Sequence, residues 1–216
     1  MLTRDDIYTL GLPADIPHEP LIDFAMKHAG KSVVDIGCGS GTYAERLQQL
    51  GKSVVGLEAD GDSIQEATAR GLEVTHGDAT SLPFEDNQFD SALLFEVLEH
   101  IPNFTAVVRE ALRVTRRNVL VTVPNVGEYE HLMRYGITYW HLVTIDHVNF
   151  FELDDLVELA ERCHARADAH RAEPLVPAAL LRPRRPLWFA VSALRRLGLV
   201  RPIAYRRLYA VIEPVR

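Results

Sequence analysis

Residues 96–100 read Glu-Val-Leu-Glu-His and directly follow "FDSALLF", a run apolar enough to be a buried strand. If a helical turn begins there, positions i, i+3 and i+4 face the same way, so Glu96, Glu99 and His100 converge on one point. Ionisable groups crowded together perturb one another's pKa unless a cation joins them. A divalent metal is the natural guest for two carboxylates and an imidazole, and "TIDHVNFF" offers a fourth donor in His147, with Asp146 beside it. Two carboxylates and two imidazoles suit manganese or loosely held magnesium, and cellular abundance favours magnesium. Without a metal, His100 or His147 serves as a base and the carboxylates anchor their neighbours. The blandest role for these residues is a structural one.

A second constellation lies upstream. "VVDIGCGSGTYAERL" places Gly37, Gly39 and Gly41 between an apolar strand and a helix, with Asp35 just before them. Glycines at such a junction permit positive φ and let backbone approach a ligand at the helix N-terminus. Alone the loop is a weak signal, since nicotinamide and flavin enzymes carry similar ones. Glu58 ends the next strand, where a carboxylate can accept from both hydroxyls of a ribose. Asp78 and Ala79 end the third, within reach of an adenine amino group. The expected cofactor-binding set is Asp35, Gly37, Cys38, Gly39, Gly41, Glu58, Ala59, Asp78, Ala79 and Phe95.

These residues need elements to position them. Short β-branched runs at 32–37, 52–58, 72–78, 89–95 and 118–124 alternate with amphipathic segments at 42–51, 62–71 and 103–115. Alternation of this kind predicts an α/β fold, a doubly wound, mostly parallel sheet with right-handed crossovers. Residues 1–29 read as an N-terminal cover and 30–124 as the cofactor-binding core. The aromatic, histidine-rich stretch 125–151 has no sustained period and reads as a loop-rich insertion at the acceptor site. Residues 152–163 form a helix with acids in its first turn. In the C-terminal part, 152–216, residues 164–170 and 205–213 are candidate strands, and a proline-bounded excursion at 174–202 separates them.

Bulk properties set the outer limits. The chain has 216 residues, 47% of them hydrophobic and 25% charged, and two cysteines, Cys38 and Cys163. That describes an ordinary globular domain without a disulfide framework, and a cytoplasmic home is expected. The start lacks a signal-peptide pattern, and "LWFAVSALRRLGLV" is too short and too basic at its centre to span a bilayer. Residues 162–216 hold twelve arginines and three acids, a balance of +9 that leaves −16 of the net −7 to the rest. An acidic body disfavours nucleic acid as a partner, although the basic tail could meet phosphates, anionic lipid or an acidic subunit.

Taken together, "DIGCGSG", "LEAD" and "GDATSLPFEDNQFDSALLFEVLEHIPN" resemble the class I S-adenosylmethionine-dependent methyltransferases over roughly residues 30–165. The resemblance implies a Rossmann-like sheet of seven strands whose antiparallel strand is 205–213. It further implies that Gly37 and Gly39 hold the methionine end of the cofactor, Glu58 its ribose, and Asp78 with Ala79 its adenine. The turn and the later histidine also resemble the metal-dependent 2′-O-methyltransferases of small RNAs, with their E-x-x-E-H motif. On that likeness Glu96, Glu99, His100 and His147 are the metal ligands, and Glu99, His100 and His147 the catalytic residues.

The expected activity is therefore metal-assisted O-methylation, because an aliphatic hydroxyl gains most from a cation that lowers its pKa. A saccharide acceptor, such as an oligosaccharide in methylated-polysaccharide synthesis, offers a chelating diol, and Tyr135, Tyr139, Trp140 and His141 would face it. Alternatives are a metal-free O-methyltransferase of a phenol or quinone precursor, an RNA ribose methyltransferase, and a non-catalytic adenosyl-binding partner subunit. The 174–202 excursion reads as a lid, an arm of a homodimer or a transient membrane-surface helix.

Overall fold

The structure, a computed structural model, describes residues 17–128, 146–175 and 204–215, together with 194, 197, 199 and 202. Seven strands form one sheet: β1 (Ser32–Ile36), β2 (Ser53–Glu58), β3 (Val74–His76), β4 (Phe89–Phe95), β5 (Thr115–Pro124), β6 (Ala165–Leu175) and β7 (Ala204–Pro214). Their order across the sheet is β3-β2-β1-β4-β5-β7-β6. The first five run parallel, and β7 enters antiparallel against both β5 and β6. Helices α1 (Glu19–His28), α2 (Thr42–Gln49), α3 (Gly61–Ala69), α4 (Phe104–Arg113) and α5 (Leu153–Arg162) accompany the strands.

The expected α/β doubly wound sheet is what forms, with differences at the edges. β3 is reduced to three residues, while β5 begins three residues before the expected 118 because Thr115 pairs with Phe89. β6 runs on past 170 to Leu175, since β7 gives it a full-length antiparallel partner.

Alternating strand residues feed two apolar layers. Val34, Ile36, Leu94, Val121, Leu208 and Ile212 pack with Val107, Val108 and Leu156 from α4 and α5. On the opposite face Val33, Leu93, Phe95, Leu120 and Tyr209 meet Leu21, Ile22 and Phe24 of α1 and Leu47 of α2. A fully buried Leu or Ile contributes about 1.5–3 kcal/mol, and Leu21, Leu47, Leu93, Leu94 and Leu120 are among those with no exposure. The expected N-terminal cover is thus, in its described part, one helix that closes the second layer.

At the end of α1 a buried polar chain fixes the turn into β1. Ser91 Oγ accepts from Gly30 N and donates to Asn118 Oδ1 at 2.6 Å, and Asn118 Nδ2 donates to His28 O. No helix among the described residues is long and apolar enough to cross a membrane.

Candidate active site

At the carboxyl edge of the parallel strands lies a cleft of about 590 Å³ lined by Gly37, Glu58, Asp78, Ala79, Glu96 and His100, among others. The glycine loop shapes one wall. Gly37 has φ +73, and a Cβ there would lie 2.8 Å from Val97 Cγ2. Gly41, φ +82, opens α2, and its Cβ would run into Leu72. Both positions require glycine for conformation and for space. The loop is tied to β2 by Gly37 N and Cys38 N, which donate to Leu57 O, and by Gly39 N, which donates to Glu58 Oε2 at 2.8 Å. The other Glu58 oxygen accepts from Ala59 N and Asp60 N.

Two carboxylates in this region have opposite electrostatics. Asp78 Oδ1 accepts from Thr80 N and Thr80 Oγ1, which holds its pKa below the usual carboxylate value. Asp35 is buried with Oδ2 lacking a hydrogen-bond partner among the described residues, and burial, then the charge of Glu58, pushes its pKa up to about 7. A buried carboxylate without donors next to a glycine cradle is suited to a cationic ligand. S-adenosylmethionine, with its sulfonium and ammonium groups, fits that requirement.

Residues 96–100 do not form the expected helical turn. Glu96 takes φ +57, and the chain turns again through 98–100. The sheet imposes the kink: Glu96 N donates to Thr122 O, extending the β4–β5 ladder by one bond, while Thr122 Oγ1 donates to Glu96 Oε1 at 3.2 Å. Glu96 consequently points along the cleft wall toward Arg207, whose Nε lies 3.1 Å from Glu96 Oε2.

Glu99 and His100 turn the other way and meet the segment 146–151. Val148 N and Asn149 N both donate to Glu99 O, and Asn149 Nδ2 donates to Leu98 O and Ile101 O at 2.8 Å each. This clasp brings the His147 ring edge-on to His100 with centroids 4.7 Å apart. His100 Nδ1 lies 3.2 Å from Asp146 Oδ2. One ligand atom each from Glu99, His100 and His147 falls within 4.8 Å of the others. Glu99 is 1% exposed, and neither carboxylate oxygen finds a hydrogen bond among the described residues. Burial, then the nearby Glu96, pushes its pKa up to about 9.

Three of the four expected metal ligands therefore converge and Glu96 does not, because a left-handed backbone and a buried guanidinium draw it aside. Gly37, Glu58, Ala59, Asp78 and Ala79 line the cleft. Phe95 does not: its ring packs against Phe24 and Tyr43 in the core, at centroid distances of 6.3 and 5.8 Å. Cys38 is likewise buried, against Gly56, where a Cβ would lie 2.6 Å from its sulfur. Tyr135, Tyr139, Trp140 and His141 lie outside the described residues.

Sequence reasoning missed Asn149, whose amide joins the two halves of the histidine site, and Arg207. Arg207 is 9% exposed and donates through Nη1 to both oxygens of Glu173, at 2.7 and 2.6 Å. Glu173 also accepts from Tyr209 OH and has His18 Nε2 at 3.0 Å. Burial opposes its charge, yet His18 and Arg207 more than offset that and hold its pKa well below the usual range. Asn149 lies inside the quoted "TIDHVNFF" but was overshadowed by His147, and Arg207 is one of twelve arginines in 162–216 without a local pattern to mark it.

Part of the chain is similar to known proteins. Residues 34–123 match the family model described as "Methyltransferase domain". A Mycolicibacterium smegmatis protein named "Probable S-adenosylmethionine-dependent methyltransferase" is 32% identical over 105 residues, covering 47% of this chain and 41% of that one. The ubiquinone biosynthesis O-methyltransferase of Shewanella pealeana is 26% identical over 150 residues, covering 61% and 62%. The chain thus spans less than two thirds of the length of these relatives. A crystal structure of an S-adenosylmethionine-dependent methyltransferase from Archaeoglobus fulgidus superposes with TM-score 0.66 at 15% identity, covering 90% and 93% of the two chains. The glycine cradle and the strand-end carboxylates Glu58 and Asp78 lie within residues 34–123, the stretch similar to the methyltransferase-domain model, on a seven-stranded sheet with the fold of known methyltransferase structures.

Proposed function

We propose that the protein transfers a methyl group from S-adenosylmethionine to a hydroxyl of a small molecule, of phenolic or quinone-precursor type. The observation that carries this reading is the Glu99–His100–His147 cluster, which opens on the cofactor cleft through His100. When bound, the cofactor supplies an electrophilic methyl group; Asp35, the glycine loop, Glu58 and Asp78 would hold it. The phenolic acceptor ranks ahead of the saccharide expected from sequence. A relative named for ubiquinone biosynthesis favours it, whereas the saccharide reading rests on a diol chelated by a metal, with facing aromatic residues that lie outside the described part of the chain.

The protein's own contribution is to receive a proton and orient the acceptor. Asp146 beside His100 Nδ1 favours the tautomer with Nδ1 protonated, which leaves Nε2 to accept the hydroxyl proton. A phenol, with a pKa of about 10, lies within reach of such a base, whereas an aliphatic alcohol does not.

A second reading, a divalent cation at Glu99, His100 and His147, is favoured by one specific observation: a buried carboxylate with no donor among the described residues sits within 4.8 Å of two imidazole nitrogens. The donor set fits a cation. One carboxylate with two imidazoles suits manganese, iron or zinc better than the magnesium expected from four ligands. A cation held there would polarise the acceptor oxygen.

The test is turnover of catechols, simple phenols and sugars by the whole chain with S-adenosylmethionine, following S-adenosylhomocysteine and the mass of the product. O-methylated phenols are expected, with loss of activity in His100→Ala. Methylation of sugars alone, or cofactor binding without turnover of any acceptor, would overturn the proposal. Chelator separates the readings: a base mechanism keeps its rate, and a cation mechanism loses it and regains it with manganese.

A further inference from the structure

Glu96 is the residue whose placement departs most from its neighbours, and the reason lies at the far end of the chain. Its backbone is held at φ +57, a conformation that costs a non-glycine residue about 1–3 kcal/mol unless its surroundings enforce it. Enforcement comes from three contacts: Glu96 N on Thr122 O, Thr122 Oγ1 on Glu96 Oε1, and Arg207 Nε 3.1 Å from Glu96 Oε2. The last is decisive in charge. Arg207 is buried and doubly bonded to Glu173, which is further committed to Tyr209 and His18. A buried guanidinium stripped of one carboxylate is strongly destabilised, so it competes for Glu96 against any other cation.

That competition determines how many protein ligands the neighbouring cluster can offer. With Glu96 released, four donors could surround a cation, which closes a tetrahedral shell and leaves a six-coordinate ion such as Mn²⁺ two open positions rather than three. With Glu96 retained, three donors remain, and a site that does chemistry needs such vacancies for its acceptor. We propose that Arg207 is a positioning residue that withholds Glu96 from the Glu99–His100–His147 cluster, so that a divalent cation there keeps coordination positions for the acceptor hydroxyl. The inference rests on the cation reading given under Proposed function.

The experiment is Mn²⁺ binding to the full chain, without cofactor or acceptor, followed by the electron paramagnetic resonance signal of free Mn²⁺. It compares the wild type with Glu96→Gln, Arg207→Met, the double variant and His147→Ala. Loss of a protein ligand typically weakens binding about 10–100-fold or more. Wild type and Glu96→Gln are expected to bind within about threefold of each other, since Glu96 is not a ligand, and Arg207→Met about tenfold more tightly. In the Glu96→Gln background the Arg207 substitution is expected to lose that gain, which distinguishes recruitment of Glu96 from simple removal of a positive charge.

The inference is overturned if Glu96→Gln weakens binding about 30-fold or more, if Arg207→Met binds like the wild type, or if its gain persists in the double variant. Should Arg207→Met fail to fold, the Glu96→Gln comparison still decides whether Glu96 is a ligand. Absence of Mn²⁺ binding, or binding indifferent to His147→Ala, sinks the cation reading itself and this inference with it. Methyl transfer is not an ingredient of the assay, so failure of the acceptor assignment would leave the result standing.

Discussion

The rings of His100 and His147 meet edge to face at 4.7 Å because Glu99 O accepts hydrogen bonds from both Val148 and Asn149. Two segments far apart in sequence are thereby joined by backbone, and the imidazoles follow. The site depends on that clasp as much as on the residues that would touch an acceptor.

Asn149 gives the most direct test of this dependence. Its Nδ2 satisfies Leu98 O and Ile101 O. In Asn149→Ala both carbonyls lose their donor, and the stability of the fold should fall by about 1–3 kcal/mol in chemical unfolding. Methyl transfer should fall by about tenfold to a hundredfold through misplacement of His147. Cofactor affinity, measured by calorimetry, should stay unchanged, because none of these groups belongs to the glycine cradle.

Glu58 should show the converse pattern. Its carboxylate gathers Gly39 N, Ala59 N and Asp60 N, so it shapes the loop as well as facing the cleft. Glu58→Ala should weaken S-adenosylhomocysteine binding by roughly 10–100-fold, the loss of one or two charge-assisted hydrogen bonds. Titration of the variant by calorimetry checks this, and an affinity equal to that of the wild type would remove Glu58 from the cofactor site.

Asp35 makes the cofactor-free protein sensitive to pH. Burial, followed by the charge of Glu58, raises its folded pKa to about 7, against about 3.9 in an unfolded chain. The folded state binds the proton more tightly, so the stabilising contribution is complete below about pH 4 and is lost as the pH rises to about 7. Thermal melts of the wild type from pH 4 to 8 should decline relative to those of Asp35→Asn, which carries no titrating group there. Parallel curves would show that Asp35 does not titrate in this window.

Ser91 offers a control remote from the cleft. Ser91→Ala leaves Gly30 N and Asn118 Oδ1 without their buried partner, and should cost about 1–3 kcal/mol of stability. Below the melting transition its cofactor affinity and turnover should match the wild type. A selective loss of turnover would show coupling between the two ends of the sheet.

Much of the fold was legible because its signals are local. Strand-length apolar runs, Gly37 and Gly41 at positive φ, and carboxylates at strand ends follow from a few neighbouring letters. The meeting of His100 and His147 was legible only through likeness to a family pattern. Glu96 was misread because its backbone obeys Thr122 and Arg207 rather than helical spacing. Arg207 was counted by composition in a basic tail open to phosphates, lipid or an acidic subunit, yet β7 carries it back against Glu173 and Glu96, where it is buried. Phe95 illustrates the same limit: strand parity, which sends it to the α1 side, outweighed its closeness in sequence to the cleft.

The last rung of the β6–β7 ladder pairs Leu175 with Ala204, so the chain leaves the sheet and re-enters it at neighbouring points. The register on either side of residues 176–203 is already fixed by rungs such as Ala169 with Ala210. Material grafted into that stretch would leave those rungs in place. Glu173 and Arg207 sit at its root, so material grafted there would be anchored beside the cleft wall while leaving the cofactor machinery of the first five strands untouched.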